Sequence, residues 1–367
     1  MSLRCGIVGL PNVGKSTLFN ALTAARVPAE NYPFCTTDPQ VGAVAVPDPR
    51  LETLARLLAP ERVVPAVIEF VDIAGLVRGA GRGEGMGNEF LDHIRNVDAI
   101  AHVVRCFDDP QITFHESVMG VDPARDVEIV EFELLQKDLE WTERRREKTL
   151  KLLRTGDKSV KRELELYERM IARLNEEKPL ADMEFADEDR PVLKAMGPLT
   201  LKPVFYVANL GEESAGRDSP HFQKLRALGE ARGRPVVGFF AKLESELGDL
   251  PEEERAEFRS EMGLSEPGIK AVVKAGFRAL NLVTFYTKVG PELRAWPAPE
   301  GVSAPRAAGM IHSDFERGFI KAEVAGFAEF VEAGSEAQVR KLGLLRQEGK
   351  DYRIRDGDVA HFRFNVS

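Results

Sequence analysis

The chain has 367 residues but only three cysteines, Cys5, Cys35 and Cys106, and none forms a CxxC pair. That argues against a disulfide scaffold and against a thiolate zinc site, and it suits a reducing compartment. No uninterrupted apolar run approaches the ~18 residues of a membrane span. The first residues also lack a basic stretch followed by an apolar core, so the expectation is a soluble, cytoplasmic protein. Positive charge is not in excess: 50 Lys and Arg stand against 59 Asp and Glu, a net charge of −9. A protein coated in positive charge for non-specific DNA binding is therefore disfavoured, although a local basic patch remains compatible. Repeats and low-complexity segments are lacking too. What is present is enough chain for two or three domains, each with its own core.

Residues 1–126 alternate short apolar strands with helices. Arg4–Gly9, Val67–Asp72 and Ala99–Arg105 are β-branched runs bounded by Gly, Asp or Pro, the pattern of buried parallel strands. Ser16–Ala25 and Glu89–Val97 are the helices between them. Strands resume at Pro203–Asn209 and Pro235–Ala241, so 1–126 and 201–280 together form a mostly parallel, doubly wound α/β sheet. Between them lies 127–200, whose larger part, 127–175, is charged and nearly free of Gly and Pro, with apolar positions at helical spacing. It reads as an antiparallel helical hairpin that turns at 154–159. Residues 281–367, with runs such as Leu282–Tyr286 and Ala360–Val366, read as a small β-rich module.

The hairpin segment is distinctive in charge. Its net charge is −3, yet 144–162 carries nine basic side chains and two acidic ones, a local +7. Arg144, Arg145, Arg146, Lys148, Lys151, Arg154, Lys158, Lys161 and Arg162 are thus candidates to contact the phosphates of a structured RNA.

Gly9-Leu-Pro-Asn-Val-Gly14-Lys15-Ser16-Thr17 fits the G-x-x-x-x-G-K-[ST] pattern directly after a strand and directly before a helix. In that context the glycines let backbone N–H groups, Val13 and Gly14 among them, face an anion at the positive end of the helix. Lys15 reaches the β- and γ-phosphates of a nucleotide, and the Ser16 hydroxyl ligates Mg²⁺. The metal side is completed by Asp72-Ile-Ala-Gly75: Asp72 is expected to hold the ion through water, and the Gly75 N–H to sense the γ-phosphate. Six glycines then crowd into 75–87, a natural nucleotide-sensing switch.

Two expected residues are missing. The glutamine that orients the attacking water after D-x-x-G is replaced by Leu76, so turnover is expected to be slow, or another group must position the water. His115 and His102 are candidates, and Asn12 is a candidate ligand for K⁺ in place of an arginine finger. The N-K-x-D that reads guanine is replaced by Asn209-Leu210-Gly-Glu212, without the stacking lysine. A site built for guanine's donors loses roughly 1–3 kcal/mol for each buried group left unpaired, so adenine becomes a fitting base. Ala241-Lys242 occupies the place of the element that backs the base.

Assembled, these stretches resemble the YchF branch of the Obg-related P-loop NTPases. The matching segments are 6–22, 31–42, 69–80, 209–212, 294–301 and 304–324. The resemblance implies a P-loop NTPase domain, an inserted helical hairpin and a C-terminal TGS module of β-grasp fold. It further implies a Mg²⁺-dependent nucleotidase that takes ATP at least as well as GTP and associates with ribosomes. Thr36 becomes the switch threonine that ligates Mg²⁺. Thr37 and Gln40 depart from the residues usual in that family.

Overall fold

The computed structural model describes residues 3–24, 40–73, 94–109, 120–153, 158–214, 219–248, 250–264 and 266–365. Its strands are β1 (Arg4–Val8), β2 (Val41–Ala45), β3 (Arg62–Val64), β4 (Val67–Asp72), β5 (Ala99–Cys106), β6 (Val204–Leu210), β7 (Val236–Phe239), β8 (Leu282–Val289), β9 (Glu292–Pro299), β10 (Phe319–Gly326), β11 (Arg346–Glu348) and β12 (Asp358–Phe364). They form two six-stranded sheets, ordered β2-β4-β1-β5-β6-β7 and β11-β10-β12-β8-β9-β3.

In the first sheet β4, β1, β5, β6 and β7 run parallel, and β2 alone is antiparallel, against β4. The expected α/β class is the observed one. All eight residues of β5 are buried, as the central strand of a sheet covered on both faces must be. The helix Lys15–Ala24 buries Leu18, Phe19 and Leu22 against this sheet. The carboxyl ends of β1, β4, β5 and β6 therefore converge on one edge, where ligands of doubly wound folds bind.

The long helix of the hairpin spans Pro123–Leu152, starting four residues before the boundary read at 127. Asp122 caps it, accepting from Ala124 N at 3.0 Å and Arg125 N at 3.3 Å, and Pro123 fits the first turn because it has no N–H to satisfy. The returning helix is Lys158–Asn175. Leu166, Tyr167, Met170 and Leu174 meet Leu135, Leu180, Leu193 and Met196 in a core of their own. Glu131 anchors the base of the hairpin on the first sheet, accepting from Tyr206 Oη at 2.8 Å and from Arg232 and Arg234.

Asp138 closes this base. Fully buried, its carboxylate accepts from Leu199 N and Thr200 N, both at 2.8 Å, and from Thr200 Oγ1 at 2.7 Å. Asp138→Ala strands three donors, and unsatisfied buried groups cost about 1–3 kcal/mol each. The expected result is a stability loss of at least about 3 kcal/mol, read as a lower midpoint in urea denaturation followed by circular dichroism. An unchanged midpoint would remove Asp138 from this role.

The second sheet holds more than 281–367. Arg62–Val64 adds as its edge strand, parallel to β9, and Tyr286, Leu293, Ala295 and Val359 share the core that runs beneath the first sheet. A polar contact secures the join. Arg50 pairs with Asp48 at 3.0 Å and Asp356 at 2.7 Å, and the Tyr286 hydroxyl donates to Asp48.

Candidate functional site

The loop joining β1 to the Lys15–Ala24 helix is held open by its backbone. Gly14 has φ +100°, and a Cβ there would lie 2.3 Å from Asn209 Nδ2, so only glycine fits. Asn12, at φ 61°, is also in the left-handed region and lines the cleft beside the loop. Val13 is buried, and its carbonyl accepts from Asn209 Nδ2 at 2.9 Å.

Lys15 is buried and donates to Leu10 O at 2.8 Å, curling over the loop. Burial pushes its pKa below the ordinary lysine value, and the nearby Asp72 charge pulls it back up. Burial likewise raises the Asp72 pKa, opposed by the Lys15 charge and by a hydrogen bond from the Ser16 hydroxyl. Asp72 N donates to Gln40 O at 3.0 Å, which ties the start of β2 to the end of β4. One hydroxyl and one carboxylate, side by side below the loop, form the hard-oxygen donor set that suits Mg²⁺. Among the described residues no group of three or more His, Cys, Asp or Glu is arranged to hold a metal.

Asn209, at the end of β6, is buried, and both ends of its carboxamide are engaged. Nδ2 holds Val13 O, and Oδ1 accepts from Ala241 N at 3.2 Å. Expected from sequence to belong to a base-reading pair, it bonds two backbone groups here and braces the phosphate loop against the Ala241–Leu247 helix. Beyond it lies a cleft of about 580 Å³ lined by Asn12, Gly14, Thr17, Leu210, Glu212, Ala241 and Lys242. Glu212 and Lys242 pair across it at 3.2 Å, and that bond raises the Lys242 pKa.

Sequence reading missed Phe107, Asp108 and Asp109, which line the same cleft. Arg105, buried at the end of β5, donates to Phe107 O at 3.0 Å and Asp109 O at 3.1 Å, fixing this turn. Its position past the carboxyl end of a central strand was the available signal. His102 lies elsewhere. Buried, edge-on to Tyr206 and pushed down to about 3 by burial and the charges of Arg234, Lys15 and Arg232, it lines a cavity beneath the hairpin base. Neutral and outside the cleft, it has no catalytic position. Thr36, Gly75, Leu76, His115 and Arg154 lie outside the described residues.

The nine hairpin cations are not equivalent. Arg144 pairs with Glu140, Arg145 donates to Ala195 O at 3.2 Å, and Arg162 pairs with both Glu188 and Asp189 at 3.2 Å. The Arg146 Nε is buried without a hydrogen-bond partner. Lys148, Lys151, Lys158 and Lys161 are exposed, with no ion-pair partner among the described residues. Among the described residues, the cations of the tip thus divide into those engaged within the protein and the four exposed lysines.

A family model described as "50S ribosome-binding GTPase" matches residues 4–142. The model for the C-terminal region of YchF GTPases, described as "Protein of unknown function (DUF933)", matches 282–365. Curated relatives of similar length are called ribosome-binding ATPase YchF. The Haemophilus ducreyi protein is 47% identical over 367 residues and the Bacillus subtilis protein 46% over 369, each with both chains fully covered. The solved Schizosaccharomyces pombe YchF GTPase superposes with a TM-score of 0.86 at 35% identity, covering 99% of this chain and 98% of that one.

Proposed function

The chain belongs to the YchF family of P-loop NTPases, and from that premise we propose that it is a ribosome-associated switch that binds and slowly hydrolyses ATP. The observation that carries this reading is the grouping of Lys15, Ser16 and Asp72 at the phosphate loop as one end of the site, with the cleft that Asn209 and the Glu212–Lys242 pair line as the other. The first end suits a triphosphate. The second suits a base, and the carboxylate at the position that would read guanine is already paired with Lys242, which favours adenine.

Lys15 leaves Leu10 O for the β- and γ-phosphates when nucleotide enters, and the free N–H groups of the helix start face the same oxygens. Ser16 and Asp72 would hold Mg²⁺, with Thr36 as a further ligand; the ion supplies charge neutralisation for the transferred phosphoryl group. Gly75 would sense the γ-phosphate. Leu76 cannot hydrogen-bond the attacking water, which accounts for slow turnover; His115 and a K⁺ ion near Asn12 are the proposed substitutes. The partner is the ribosome, and the "50S" description of the family model favours the large subunit. We place the protein in the cytoplasm as a monomer; none of its described helices is long and apolar enough to cross a membrane.

Pelleting of the full chain with purified ribosomes, alongside phosphate release with and without Mg²⁺ chelation, tests this reading. Co-pelleting and Mg²⁺-dependent ATP turnover are expected. A protein that stays in the supernatant in every nucleotide state would contradict the ribosome assignment, and turnover indifferent to chelation would contradict the metal assignment.

A further inference from the structure

We infer that the cavity beneath the hairpin base is a second ligand site, which takes a small organic anion with an apolar body. Its volume is about 770 Å³, ample for a small molecule. Pro203, Val204 and Pro235 line it from the starts of β6 and β7, whereas the nucleotide cleft opens at the ends of the same strands. The two spaces therefore lie at opposite edges of the first sheet. Ile100, Leu134, Leu135 and Leu199 are buried in the lining, and His102, 2% exposed, is the buried polar residue among them. Its imidazole meets Tyr206 edge-on and has no hydrogen-bond partner among the described residues. A buried polar group left without a partner is costly, so a ligand that supplies one is bound the more tightly for it. Burial, with the charges of Arg234, Lys15 and Arg232, keeps the ring neutral, and a neutral imidazole still has one N–H to donate.

The charged lining sets the sign of the ligand. Arg232 and Arg234 both donate to Glu131, so two guanidinium groups share one carboxylate. Arg278 is exposed at the rim and has no ion pair among the described residues. Lys202 is turned onto the backbone, donating to Arg95 O at 3.1 Å and Val97 O at 2.6 Å. Of the remaining acids, Asp182 is paired at 3.3 Å with Arg173, which is not part of the lining, and Glu177 stands at the exposed rim. Positive charge is therefore in excess, and it reaches the imidazole, where Arg234 and Arg232 both act on its protonation. Guanidinium forks match the planar oxygens of a carboxylate. A bare inorganic ion would leave the aliphatic lining uncovered, whereas an apolar body attached to the anionic group would bury it.

The test titrates the full chain with the fluorescent anion anilinonaphthalene sulfonate, in saturating ATP and Mg²⁺ so that the nucleotide cleft is filled. A saturable rise in fluorescence with one probe per chain is expected, and the uncharged phenylnaphthylamine should bind at least about tenfold more weakly. Arg278→Glu reverses a charge at an exposed position, and His102→Leu removes an imidazole that accepts or donates no hydrogen bond among the described residues. Both should keep the circular dichroism and ATP turnover of wild type, and each should weaken the anion by about tenfold. Spectra of the chain labelled with nitrogen-15 histidine give a second readout: the ring resonance missing from His102→Leu should be the one that the anion shifts in wild type. No saturable binding in the presence of ATP, equal affinity for the uncharged probe, a His102 resonance that stays in place, or an Arg278→Glu chain that binds like wild type would each overturn the inference.

Discussion

Lys15→Ala lowers kcat/KM for ATP by roughly a thousandfold, the scale of losing one preorganised charge from a transition state. The buried ammonium sits at the mouth of the loop with Leu10 O as its hydrogen-bond acceptor and Asp72 as its nearby opposite charge. Exchanging one carbonyl for phosphate oxygens needs no rearrangement of the loop. Alanine leaves the loop's glycines and the Asn209 brace in place, so the fold should persist while the charge facing the γ-phosphate disappears. Single-turnover phosphate release on the folded variant gives the number. Turnover equal to wild type would mean that the measured hydrolysis comes from elsewhere than this site, and that the protein is no ATPase through Lys15.

Asn209→Leu should weaken ATP binding by about tenfold to a hundredfold, although its side chain need never touch the nucleotide. Leucine is close in volume but leaves Val13 O and Ala241 N unpaired in a buried setting, at about 1–3 kcal/mol for each. The first loss frees the phosphate loop, and the second frees the start of the Ala241–Leu247 helix that lines the base end of the cleft. Asn209→Asp separates the two. It retains an acceptor for Ala241 N but sets a carboxylate against the Val13 carbonyl, so phosphate affinity suffers while the helix stays anchored. Titration with ATP and with adenosine distinguishes them: the aspartate variant should lose affinity mainly for ATP. Equal affinities for wild type and Asn209→Leu would remove the brace from the account.

The five parallel strands of the first sheet and the phosphate loop were legible because each is a contiguous signal: β-branched runs closed by Gly or Asp, and eight consecutive residues with fixed glycines; the antiparallel edge strand Val41–Ala45 was not read. Features built by distant pairing were not. Arg62–Val64 is too short to announce a strand, and its partner lies some 230 residues away in β9. The identity of Asn209 was plain, but its engagement by two backbone groups depends on where Val13 and Ala241 come to rest. The partners of the hairpin cations were hidden for the same reason. Counting along the chain found nine cations, whereas Glu140, Glu188, Asp189 and the Ala195 carbonyl hold three of them, and of these four only Glu140 lies on the helix of its arginine. Phe107, Asp108 and Asp109 belong to no motif, and only the fold brings them to the cleft.

The central claim is that this phosphate loop serves a cleft whose base end no longer selects guanine. Equilibrium titration of the nucleotide-free protein with labelled ATP and GTP, in the same buffer with Mg²⁺, tests it most directly. ATP is predicted to bind at least as tightly as GTP, because the lysine that would stack on guanine is absent and Glu212 is paired with Lys242. A preference for GTP of about a hundredfold, close to 2.7 kcal/mol, would contradict it.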